Sequence, residues 1–177
     1  MKHLLLCCLP VLLACANPLA AARSAEKVMA GFIAPPEFAL KKETKEHGYA
    51  IFSDMVLRGW ADANDVHLML RFESSTIIPS HSIAAQADDL VRQCRKFYAK
   101  ETQDLAQVYT VNKKSWVVIR SRNPAAPVET LRVIIFTELN GLVAQMELFG
   151  PKSQAEQMGR YLKFIVERNS GVPPAAN

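Results

Sequence analysis

Three features of the sequence predict an α+β fold, an antiparallel sheet with helices packed on one face. Strand-like runs recur across residues 49–73 and 107–149. Asn140-Gly141 separates two of them, a hairpin signal because both residues tolerate the positive φ of a type I′ turn. Two amphipathic segments, 83–98 and 153–166, carry apolar stripes that a sheet has to cover.

The elements follow in order. Residues 32–40 form an extended lead-in, since the Pro35-Pro36 pair cannot sit in a central strand. Residues 49–58 and 66–73 read as strands turned by Asp62-Ala63-Asn64-Asp65. The second alternates, with Leu68, Leu70 and Phe72 on one face and His67, Met69, Arg71 and Glu73 on a solvated one. Ser80 or Ser82 can cap the first helix, whose stripe is Ile83, Ala87, Leu90, Val91, Cys94 and Phe97. Its acids (Asp88, Asp89) lie early and its bases (Arg92, Arg95, Lys96, Lys100) late, which opposes the helix dipole. Strands at 107–111 and 115–121 are joined by Asn112-Lys113-Lys114, and the Asn-Gly hairpin pairs 130–139 with 142–149. Ser153 with Glu156 reads as a capping box for the last helix, whose apolar face is Met158, Tyr161, Leu162, Ile165 and Val166.

The N-terminus has a different character. Met1-Lys2-His3 is a short cationic start, followed by a mostly apolar stretch to Ala14 and then small residues. This is the order of regions in a secretory leader, and the stretch is shorter than the ~20 residues a membrane-spanning helix needs. A buried N-terminal helix fits poorly with Pro10 and the missing polar face. Leu12-Leu13-Ala14-Cys15 resembles the lipobox of bacterial lipoproteins. That resemblance implies that Cys15 receives a diacylglyceryl group, becomes the new N-terminus and is then acylated. Several acyl chains make a stable anchor. In the same resemblance, Ala16 after the Cys favours the outer membrane. A soluble cut after Ala16 or Ala22 is the alternative, since both follow the small-x-small rule. The organisation expected is therefore a leader at 1–14, a tether at 15–30, one domain at 31–168 and a flexible tail at 169–177.

Composition narrows the function classes. Removing residues 1–14 takes away one Lys and no acid and leaves a formal net charge of +3, too mild an excess to indicate a nucleic-acid partner. With 7 Gly in the chain, glycine-rich phosphate loops are not expected. Beyond the leader and Cys15 the remaining cysteine is Cys94, which sits on a helix stripe and reads as a buried structural thiol.

The order of strands, helix, antiparallel strands and terminal helix resembles the PsbP-like fold, seen in an extrinsic photosystem subunit and in small bacterial envelope lipoproteins. The residues that carry it are the 32–40 lead-in, the 83–98 helix, and the Asn140-Gly141 hairpin running into the 153–166 helix. The likeness covers roughly 32–168, rests on pattern and brings no functional residue with it.

Chemistry-bearing residues are scattered. His47, His67 and His81 lack metal-ligand spacing. His67 and Glu73 share a strand face with Arg71, but six strand residues span about 20 Å, too far to meet at one atom. No Gly-x-Ser-x-Gly occurs. Trp60 and Trp116 read as core aromatics, or as the lining of an apolar pocket. The expectation is a non-catalytic envelope lipoprotein without cofactor or metal. It is held to the membrane by its lipid and works as an accessory or adaptor beside other envelope proteins. The alternative is a periplasmic module that binds a small apolar ligand or lipid on the Trp60/Trp116 side.

Overall fold

In the computed structural model, which describes residues 30–47, 54–73, 82–125, 128–139 and 142–171, the apolar runs become eight strands and two helices. The strands are β1 (Ala39–His47), β2 (Asp54–Ala61), β3 (His67–Glu73), β4 (Thr102–Gln103), β5 (Gln107–Val111), β6 (Lys114–Asn123), β7 (Thr130–Leu139) and β8 (Leu142–Pro151). The helices are α1 (Ala87–Phe97) and α2 (Ala155–Asn169). All pairings are antiparallel, in the order β1-β2-β3-β8-β7-β6-β4, with β5 also beside β6. The α+β class and the antiparallel sheet are as the sequence predicts.

The placement of the helices is not. Trp116, Val117, Val118 and Ile119 are consecutive in β6 and all fully buried, and β7 repeats the pattern from Val133 to Phe136. Alternate residues go to different cores. Trp116, Val118, Val133 and Ile135 join Met158, Tyr161, Ile165 and Val166 of α2. Val117, Ile119, Ile134 and Phe136 join Leu90, Val91 and Cys94 of α1. The helices therefore cover opposite faces, and the expectation of helices on one face is corrected. Consecutive apolar residues in a strand are what burial on both faces requires.

Local chemistry explains the turns. Asp62 Oδ1 accepts from the Asn64 and Val66 N–H groups at 2.8 and 2.9 Å, and Asp65 takes a φ of 60°. Tyr161 ties this turn to α2 by donating to Asp62 Oδ2 at 2.8 Å. Gly150 lies against the same turn: a Cβ there would stand 3.2 Å from Val66 Cγ2. Asn112 and Lys113 (φ 50° and 64°) make a two-residue turn, so β6 starts one residue earlier than expected. Leu139 pairs with Leu142, the register a two-residue hairpin demands; residues 140–141 themselves lie outside the described residues. The strand expected at 49–58 is β2 from Asp54 on, and residues 49–53 lie outside the described residues; β1 is an element the sequence pattern does not announce, because Lys41-Lys42-Glu43-Thr44-Lys45-Glu46 has no apolar alternation.

Of the two expected helix caps, one is corrected and one holds. Ser153 does not cap α2: it is exposed inside a 3-10 turn (Lys152–Gln154), and Glu156 pairs with Arg160 at 2.9 Å instead of reaching back. Ser82 does cap, accepting from the Ala85 N–H at 3.4 Å, ahead of the 3-10 turn Ile83–Gln86 that precedes α1. Asn169 and Ser170, expected to lie in the tail, are buried, and residues 172–177 lie outside the described residues. Asn169 clamps the lead-in, accepting from the Ile33 N–H and donating to the Ile33 carbonyl at 3.0 Å each. Phe32 and Phe38 of that lead-in are buried in the α2-side core.

Candidate functional site

The polar chemistry collects on the α1 face, where three strands and the segment after α1 meet. Gln145 and Glu147 are alternate residues of β8 and project to one face. Arg71 of β3 is the cross-strand partner of Gln145, and its Nη2 donates to Gln145 Oε1 at 2.7 Å. Arg132 of β7 reaches two carboxylates, donating to Glu147 Oε2 at 2.7 Å and to Glu101 Oε1 at 3.2 Å. Its guanidinium also lies 4.5 Å from the centre of the Tyr98 ring and 5.4 Å from that of Phe149.

The acceptors are well occupied. Glu147 takes donors from Tyr98 Oη at 2.5 Å, Gln145 Nε2 at 2.9 Å and Arg132. Glu101 takes Ser121 Oγ at 2.5 Å besides Arg132. Burial and the bond to Glu147 push the Tyr98 phenol well above its ordinary range, so it stays protonated as a donor. Burial, reinforced by the Glu147 charge, pushes the Cys94 thiol up to about 11, which keeps it out of the thiolate form that attacks electrophiles. The two carboxylates are thus committed to holding the sheet, the Tyr98 segment and β4 together.

A cavity of about 170 Å³ opens beside this network, between α1 and the sheet. Leu90, Cys94 and Phe97 form its helical wall, and Phe136 and Val143 its floor. Arg71, Tyr98 and Gln145 supply its polar side.

The sequence-derived candidates fall elsewhere or are spent. Cys15 and His81 lie outside the described residues, as do the side chains of His47 and Glu73. His67 hydrogen-bonds to Asp65 at 2.8 Å and stacks on Phe149 with ring centres 4.8 Å apart. Its strand face is not simply solvated, since Arg71 there joins the polar network. Among the described residues no His, Cys, Asp and Glu cluster could hold a metal ion. Trp116 is fully buried and donates to Ser170 Oγ at 2.9 Å; Trp60 packs 5.6 Å from Phe32. Both belong to the α2-side core, in line with their reading as core aromatics. Cys94 is buried, as expected, whereas Phe97 on the same stripe is 80% exposed.

Sequence reasoning missed Glu101, Arg132 and Glu147. A signal was present, since Arg132 and Glu147 are charges set beside apolar runs on the two arms of one hairpin, and Glu147 is the single charge of its strand. The two-residue turn fixes Ile134 opposite Glu147 and Phe149 opposite Arg132, which makes the two charges diagonal neighbours on one face.

The chain matches no family model, and no curated protein is significantly similar to it. Among the described residues no helix is long and apolar enough to cross a membrane.

Proposed function

We propose that this protein is an envelope lipoprotein, anchored through Cys15 on the periplasmic side of the outer membrane, that acts by contact as an accessory or adaptor and not by turnover. The single observation that carries the contact reading is the inequality of the two sheet edges. β1, which pairs with β2 alone among the described residues, carries Lys41, Lys42, Glu43, Lys45 and Glu46 in its sequence, and a charge-rich edge strand resists the addition of another strand. At the other edge β5 reads Gln-Val-Tyr-Thr-Val, without a charge or a proline, and pairs with β6 alone among the described residues. Val108 and Tyr109 are 47% and 39% exposed there, and neighbouring Leu105 is 79% exposed. An uncharged strand edge flanked by exposed apolar side chains favours a protein partner. The PsbP-like likeness belongs to the same reading: the lead-in, the two helices and the hairpin that runs into α2 are the elements on which it rests.

The test separates anchor from contact. Cys15→Ser loses acyl labelling and moves to the soluble fraction; a wild-type protein that is already soluble sinks the anchor. Val108→Lys, folded by circular dichroism and still in the membrane fraction, fails to rescue whatever defect a deletion causes, whereas His67→Gln rescues it. Full rescue by Val108→Lys removes the edge from the proposal. A folded, correctly placed His67→Gln that fails to rescue counts against the non-catalytic reading.

A further inference from the structure

Among the described residues the outer side of β5 has no strand beside it. Its turn has positive φ at both Asn112 and Lys113, the type I′ form, so Val111 and Lys114 close it as a hydrogen-bonded pair. Bonded and non-bonded pairs alternate along an antiparallel ladder, so Tyr109 and Gln107 also bond to β6. The N–H and C=O groups of Val108 and Thr110 then point away from the sheet. On the α2 face a groove runs between β5 and α2, lined by Tyr109, Val111, Gly159, Leu162 and Val166, with Lys163 and Glu167 paired at 3.8 Å on its rim. Gly159 is exposed inside α2, where glycine weakens a helix, and a Cβ there would meet nothing within 4 Å. Among the described residues nothing presses on that position, so the space it leaves belongs to the groove.

We propose that the occupant of this edge is a second copy of the chain, the two β5 strands pairing antiparallel about a two-fold axis at Tyr109. Such pairing rests on the reading of β5 as a contact edge and gives that edge its partner. In this register Val108 of one copy bonds Thr110 of the other, and the symmetry repeats the pair. Gln107 lies across from Val111, and the two Tyr109 residues face one another as a non-bonded pair, in which side chains come closest. Tyr109 Oη donates to Gln107 Oε1 of its own strand at 2.6 Å, so the ring leans toward position 107. Each ring is thereby carried over the other copy's Val111, toward the groove and Gly159. The charges fit the same arrangement. Asp104, exposed and held beside β6 by its N–H to the Arg120 carbonyl at 2.8 Å, precedes β5, and the exposed Lys113 follows it. Antiparallel pairing brings the Lys113 end of each strand to the Asp104 end of the other, whereas parallel pairing would set like against like. The contact of Asp104 with Arg122, at 3.9 Å between half-exposed side chains, is a weak surface pair and leaves Asp104 able to serve.

Sedimentation velocity of the full chain in mild detergent is expected to show a concentration-dependent monomer–dimer equilibrium. Gly159→Gln, which fills the groove while favouring the helix, is expected to weaken the dimer at least about tenfold with Tm unchanged or raised. Tyr109→Cys is expected to form a disulfide between the two copies of position 109, located by peptide mapping; Val111→Cys is not, since Val111 lies across from Gln107. A wild type that stays monomeric at high micromolar concentration, a dimer that Gly159→Gln leaves intact, or a Val111→Cys crosslink as fast as that of Tyr109→Cys each overturns the proposal. A monomeric wild type whose Val108→Lys variant still fails to rescue removes the second copy and keeps the contact edge. A dimer whose Val108→Lys variant rescues keeps the pairing and separates it from the adaptor role. The wild-type measurement decides even where a variant fails to fold.

Discussion

Replacing Arg132 by Met removes one cation from between two carboxylates and keeps an unbranched apolar stem in its place. In the wild type the Glu147 and Glu101 side chains are only 6% and 11% exposed, and the Arg132 side chain 22%, so water screens little of the interaction. Breaking a buried ion pair by removing one partner costs about 3–5 kcal/mol, because the stranded charge keeps its desolvation penalty. For a protein of this size each kcal/mol is worth roughly 2–4 °C, so a fall of roughly 6–20 °C in Tm is expected. Tyr98→Phe deletes a single bond to Glu147 and should cost less, about 1.5–3 kcal/mol. Thermal melts of both proteins at pH 7 measure the loss, and an unchanged Tm refutes the view that Arg132 holds two buried negative charges.

Two further outcomes probe the rest of the fold. Ile165→Ala, at a fully buried position of α2, should cost ~2–5 kcal/mol in denaturant melts, whereas Ser153→Ala should cost almost nothing because Ser153 caps no helix; equal losses would restore the capping box. Cys94 should resist iodoacetamide at pH 8 until denaturant is added, and rapid native labelling would remove it from the core. Its thiol is raised from 9.0 to about 11 in the folded state, so the unfolded chain ionises first, and stability should decline as pH rises from 9 toward 11.

The pieces whose physics is local were legible along the chain. Alternation of period two marked β3, the Asn-Gly pair set the register of β7 against β8, and the Leu90, Val91, Cys94 stripe gave α1 its buried face. The chain also carried the cue for the Arg132–Glu147 pair, since hairpin register is fixed by turn length. Whatever depends on elements far apart in the chain emerges once the strands are paired. That Arg71 meets Gln145, 74 residues away, follows from the pairing of β3 with β8, which no local pattern states. Ser153 fits a capping motif, but Pro151 and the paired Glu156 leave it outside the helix. Asn169 looks like the start of a polar tail until Ile33, 136 residues earlier, supplies the partner that makes burying its amide favourable. The side on which each helix lies was open for the same reason. A helix stripe and a doubly apolar strand each demand cover, and the chain's path between them decides which face receives it.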